Sequence, residues 1–155
     1  MPLLRAALSW NFVLATAICA SLLAQLIKVL LNLFIFHRFI AERMWGAGGM
    51  PSSHSATVCA MVVATGRYCG VNSPIFDIAA VLSIIVMYDA MGVRYETGEQ
   101  AKVLNRMFTE WMDQGFEQFQ LPHGKKLKEM VGHTPIEVVT GAALGIVLGF
   151  AMPMV

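Results

Sequence analysis

The sequence predicts an all-helical, polytopic membrane bundle with about four spans, a middle pair short enough to be re-entrant, and an amphipathic interfacial helix. Three observations carry this. Of the 155 residues, 57% are hydrophobic and 14% charged, with a mean hydropathy of +0.63, whereas soluble domains carry about 25% charged residues. Two long stretches, Ala6 to Ile27 and Val138 to Val155, contain no charge at all. Between them, one polar segment repeats apolar residues at helical spacing. A disordered chain, a secreted disulfide scaffold and a nucleic-acid binder are excluded by this composition. At this length a single domain over residues 1–155 is expected. The net charge of +1 names no acidic partner. Cys19, Cys59 and Cys69 lie in or beside apolar runs, and their odd number and unpaired spacing read as small core residues rather than a disulfide framework or zinc site.

Taken in order, the first span begins at Ala6 and stays apolar past Lys28 to Phe36, long enough for one tilted helix. A signal peptide is the rival reading, but the uncharged stretch exceeds an h-region of roughly 7–15 residues and no cleavage site is visible. A polar, Gly-rich connection follows from His37 to Pro51. Ser55 to Gly66 and Ile78 to Tyr88 are short apolar runs, either thin spans or the arms of a re-entrant hairpin. In both cases His54 and Asp89 return to the same face. From Arg94 to Gly132 the chain is polar, and Val103, Leu104, Met107, Phe108, Trp111, Met112, Phe116 and Phe119 stand opposite Lys102, Arg106, Glu110, Asp113 and Glu117. That pattern predicts an amphipathic helix lying at the interface or packing on the bundle. Val138 to Val155 closes the chain as the last span.

Counting Lys and Arg by face gives Arg38, Arg43, Arg94, Lys102, Arg106, Lys125, Lys126 and Lys128 on one side, against Arg5 and, if the hairpin crosses, Arg67 on the other. The positive-inside rule puts the first face in the cytoplasm, in a protein expected to be integral to the cell membrane.

Ionisable groups near a membrane layer are functional candidates by default, and here they are Lys28, His54, Asp89, Arg94, His133 and Glu137, all at the same ends of the spans. Two motifs gather around them. In Gly48-Gly49-Met50-Pro51-Ser52-Ser53-His54-Ser55 a glycine turn leads through Pro and Ser into a helix. A helix opening this way offers backbone N–H groups and the positive end of its dipole to a phosphate, with His54 placed to exchange a proton. A plain Ser N-cap beside an interfacial His is the bland alternative. In Gly132-His133-Thr134-Pro135-Ile136-Glu137 the carboxylate four residues on can fix the tautomer of His133 and leave its other nitrogen nucleophilic. The alternative there is a cap with a Glu favourable to the dipole.

Together these motifs resemble the type 2 phosphatidic acid phosphatase family, which also contains vanadium haloperoxidases. Gly-Gly-Met-Pro-Ser-Ser-His-Ser-Ala at 48–56 and Tyr88-Asp89-Ala90-Met91-Gly92-Val93-Arg94, followed by Gly98, Gln100 and Asn105, are similar to its small divergent membrane branch. The resemblance implies that His133 attacks phosphorus to give a phosphohistidine and that Glu137, where the family usually has Asp, orients it. It further implies that His54 protonates the leaving group, that Ser53, beside Ser52, offers its backbone N–H to phosphate, and that Lys28 pairs with the phosphate.

Two phosphate-binding arginines of the family pattern are absent. Ile35 and Phe36 stand where the family carries Arg-Pro, and Leu127 stands where it carries Arg. Arg94 is the first choice to replace that charge, with Arg38 or Lys126 behind it. Asp89, outside the family motifs, can pair with Arg94 or Lys28, position a water, or hold a divalent ion with other carboxylates; Gln100 and Asn105 are supporting candidates. His37 and His123 read as surface residues, and no tight ligand spacing joins the four histidines into a metal site. The expected activity is hydrolysis of a lipid phosphomonoester or pyrophosphate at the cytoplasmic face, without a metal or other cofactor. The alternative is a catalytically silent phosphate- or lipid-binding membrane protein or carrier. Haloperoxidase chemistry is discounted, because nothing in the sequence points to a stable vanadate cofactor. Expected partners are the lipid phosphate and the membrane, not nucleic acid, and a domain with so little interior is compatible with a homodimer.

Overall fold

A computed structural model describes residues 11–36, 49–114, 126–129 and 132–154. All regular structure among them is helical, in five helices: α1 (Phe12–Phe36), α2 (Ser53–Cys69), α3 (Pro74–Met91), α4 (Val93–Asp113) and α5 (Pro135–Ala151). The expected all-helical bundle is therefore the observed one. Two helical stretches, Phe12–Phe34 and Pro74–Asp113, are long and apolar enough to cross a membrane, and α5 is a shorter apolar helix.

The core is built on small side chains. Ala20 and Ala24 of α1 meet Ala56 and Ala60 of α2, all fully buried, with Leu144 and Leu148 of α5 packed against them. Large apolar residues such as Leu22, Phe34, Ile78, Ile84, Val147 and Phe150 point outward. This inversion of a soluble core is what a lipid solvent favours, because helices there associate by close backbone approach and not by hiding leucines from water. The closest approach is α2 against α5. Gly141, Gly145 and Gly149 are spaced four apart, on one face of α5, and are buried. A Cβ at Gly141 would run into the Ser52 carbonyl, one at Gly145 into that of Ala56, and one at Gly149 into the Val63 side chain.

That register makes α2 and α5 parallel. At their starts the Ser52 N–H donates to the Glu137 carbonyl at 2.9 Å. At their ends Arg67 Nη1 donates to the carbonyls of Gly149, Phe150 and Met152, and its guanidinium lies 5.5 Å from the Phe12 ring centre at the start of α1. Consequently α1 runs antiparallel to both. The α2–α3 hairpin thus extends the length of α5. At 17 residues, α2 is about 25 Å long, slightly shorter than a hydrocarbon core of roughly 30 Å.

Gly92 alone separates α3 from α4. Helix α4 buries only the narrow stripe Gly98, Ala101 and Asn105, leaving Val103, Leu104, Met107 and Met112 exposed. Phe116, Phe119 and Glu117 of the expected amphipathic face lie outside the described residues. The cysteine reading needs correction: all three are free, but only Cys59 is buried, while Cys19 and Cys69 face outward from the bundle. In a lipid-solvated helix an apolar run does not distinguish inside from outside.

Candidate active site

The starts of α2 and α5 lie side by side, and the site forms where they meet. Ser52 is the N-cap of α2, its side chain accepting from the Ser55 N–H; Ser52 and Ser55 are fully buried and Ser53 nearly so. His54 follows in the first turn and is exposed. Thr134 caps α5 and Pro135 follows it in the first turn, a position that needs no backbone N–H. At the second motif the Glu137 carboxylate makes both the cap and the contact to His133. Glu137 Oε2 accepts from the Thr134 N–H at 3.1 Å, completing a capping box, and the same oxygen lies 3.0 Å from His133 Nδ1.

His133 is only 2% exposed. Because a carboxylate can only accept, its contact places the neutral ring's proton on Nδ1 and leaves the lone pair on Nε2. That Nε2 is buried with no hydrogen-bond partner. Burial pushes the imidazole below its ordinary range; Lys28 and Arg94 act in the same sense, and the hydrogen bond and charge of Glu137 oppose them. The His54 and His133 rings face each other edge to face, 5.9 Å between centres.

Lys28 comes from α1 and is 1% exposed, with its Nζ buried and unpartnered. Glu137 is close enough to act on its charge, and its methylenes lie along Gly49. Gln25, one turn earlier on α1, has a buried, unpartnered Oε1. Burying an ammonium without a partner is expensive, and among the described residues the buried side-chain polar atoms without a partner are on Gln25, Lys28 and His133. Sequence reasoning missed Gln25, although a lone amide within an uncharged span was a visible signal.

The segment from Asp89 to Tyr95 wraps the turn that carries His133. The His133 N–H donates to the Ala90 carbonyl at 3.0 Å. Gly132, at φ 94°, presses against the backbone of Arg94 and Tyr95, where any side chain would collide. Arg94 Nε pairs with Asp89 Oδ2 at 2.9 Å, so of the partners open to Asp89 the structure selects Arg94; the pair is half-exposed, at 46% and 40%. Arg94, His133 and Lys28 all lie close enough to His54 to act on its charge.

Asn105 and Gln100 sit further along α4. Asn105 grips the chain leading to the motif: its Oδ1 accepts from the Leu127 N–H and its Nδ2 donates to the Leu127 carbonyl and to Glu129 Oε1. Gln100 is exposed, and among the described residues it has no recorded bond to the histidine pair. Of the other basic candidates Lys126 is exposed, and Arg38 lies outside the described residues, as do Arg43, Lys125, His37 and His123.

The model of the Divergent PAP2 family matches residues 9–148. A relative described as the uncharacterized membrane protein YuiD of Bacillus subtilis (strain 168) is 38% identical over 144 residues, covering 89% of this chain and 91% of its own. No solved structure matches. With the family match spanning every helix from α1 into α5 and both histidine motifs, the chain belongs to the divergent PAP2 family, as a membrane protein related to phosphatases.

Proposed function

We propose that this protein is a lipid-phosphate phosphatase, cleaving a phosphomonoester or pyrophosphate through a phosphohistidine at the cytoplasmic end of a polytopic bundle in the cell membrane. The observation that carries the reading is a buried His133 whose Nδ1 is held by Glu137 while its unpartnered Nε2 opens beside His54. His133 Nε2 forms the N–P bond as the ester P–O bond breaks, and the departing alkoxide takes its proton from His54. Neutral His54 then accepts a proton from water, whose oxygen forms the new P–O bond as the N–P bond breaks. Lys28, Arg94 and the backbone N–H of Ser53 hold the equatorial oxygens, whose charge grows in the transition state; the N–H of Ser52 is already given to the Glu137 carbonyl, so Ser52 serves as the cap that sets this turn. The positive-inside count supports the cytoplasmic orientation. The lipid tail lies against the small-residue bundle, and the group transferred needs no resident metal or cofactor.

Release of inorganic phosphate from lipid phosphates by the purified protein in detergent tests this, with His133→Ala and His54→Ala beside it. Loss in both variants is expected; unchanged turnover in both overturns the mechanism. A second reading, phosphate or lipid binding without turnover, is favoured by one observation. Leu127 presents no cation to the site, and its backbone is committed to Asn105. Vanadate or lipid phosphate that raises the melting temperature without any phosphate release would select that reading.

A further inference from the structure

Asp89 and Arg94 face each other across Gly92, the break between α3 and α4, as an ion pair in which Oδ2 lies 2.9 Å from Nε. The two terminal nitrogens carry N–H groups that can serve another acceptor. Both ends of this bridge are fixed to the nucleophile's turn: Ala90, next to Asp89, accepts the His133 N–H, and Arg94 backbone packs on Gly132. Ion pairs this exposed contribute little to stability. Stability therefore does not account for a carboxylate held 2.9 Å from an arginine that acts on both histidines.

We propose that Asp89 is a positioning residue, holding Arg94 by an ion pair on its Nε side so that the terminal guanidinium nitrogens fork onto the oxygens of a phosphate bound between Lys28 and His133. The inference rests on the phosphate site described above and adds to it a carboxylate that never touches the substrate. A carboxylate beside a phosphate site repels the ligand unless its charge is spent on a cation, so Asp89 helps binding only through Arg94. Removing it frees the guanidinium to swing into water and leaves the ligand to recruit it anew, at an entropic cost.

Orthovanadate and inorganic phosphate binding to the full chain in detergent tests this, alongside kcat/KM on a lipid phosphate, for Asp89→Asn, Arg94→Ala, the double variant and Asp89→Glu. Asp89→Asn is expected to weaken vanadate binding about tenfold, and to add less than about twofold once Arg94 is already Ala, because the two act as one unit. Asp89→Glu, which keeps the charge, is expected to recover most of the loss. Full additivity of the two losses, or wild-type vanadate affinity in Asp89→Asn, overturns the proposal. Coupled vanadate binding without any turnover would leave Asp89 in this role and remove the phosphatase reading; turnover with additive losses would do the reverse.

Discussion

His133 Nδ1 and Glu137 Oε2 lie 3.0 Å apart, and that one oxygen also closes the capping box of α5 through Thr134. The same carboxylate therefore starts the helix and sets the tautomer of the proposed nucleophile. Glu137→Gln separates these tasks. A glutamine can still cap, but it cannot carry the charge that stabilises a phosphorylated imidazole ring. Melting temperature should stay near wild type while kcat falls about 10²-fold or more, on the scale of losing a preorganised electrostatic partner. Equal loss of stability and activity would make Glu137 merely a cap.

Burial keeps His133 neutral below the ordinary imidazole range, against the upward pull of Glu137. In its proposed role as nucleophile it must be unprotonated, so the acidic limb of kcat/KM should fall below pH ~6.5, the ordinary imidazole value. Glu137→Gln removes an interaction that raises the pKa, so in that variant the limb should move to still lower pH. A pH–rate profile checks both; a shift to higher pH would contradict the assigned contact.

The ends of the helices were legible in the sequence because they are local. Ser52 and Thr134 signal caps by residue type and position, and the ionisable residues stand out against an apolar background. Placing Lys28, His54, Asp89, Arg94 and His133 at one end required only helix lengths and alternating direction. Side-to-side packing was not legible. Asn105 reaching Leu127, and Arg67 reaching the end of α5, join segments far apart in the chain, and nothing local in either residue encodes its partner. The spacing of Gly141, Gly145 and Gly149 did carry a signal for close helix approach, though not for which helix approaches.

That glycine stripe makes the next prediction. Gly141→Ala places a methyl group against the Ser52 carbonyl, pushing the turn at the start of α2 away from α5. Overpacking of this kind costs typically 1–3 kcal/mol, so thermal unfolding in detergent should occur at a clearly lower temperature, and vanadate binding should weaken as Ser52 shifts. Ala143→Leu, on the exposed side of α5, should change neither. Equal tolerance of both substitutions would mean that α2 and α5 are not in this register.

Lys28 sets function against stability most directly. Its ammonium is buried without a partner, a cost that a phosphate repays on binding but the empty protein does not recover. Lys28→Met keeps most of the side chain's length and removes the charge. Replacing buried charges with apolar groups of similar volume is often neutral or stabilising by about 1–4 kcal/mol, so the variant should melt at or above the wild-type temperature. Vanadate affinity should nevertheless fall more than tenfold, the loss of a charge-assisted contact of roughly 1.5–3 kcal/mol. Stabilisation by added vanadate, expected of the wild type, should disappear with it. A Lys28→Met protein that is much less stable, or that binds vanadate as before, would show the ammonium serving the fold and not the ligand.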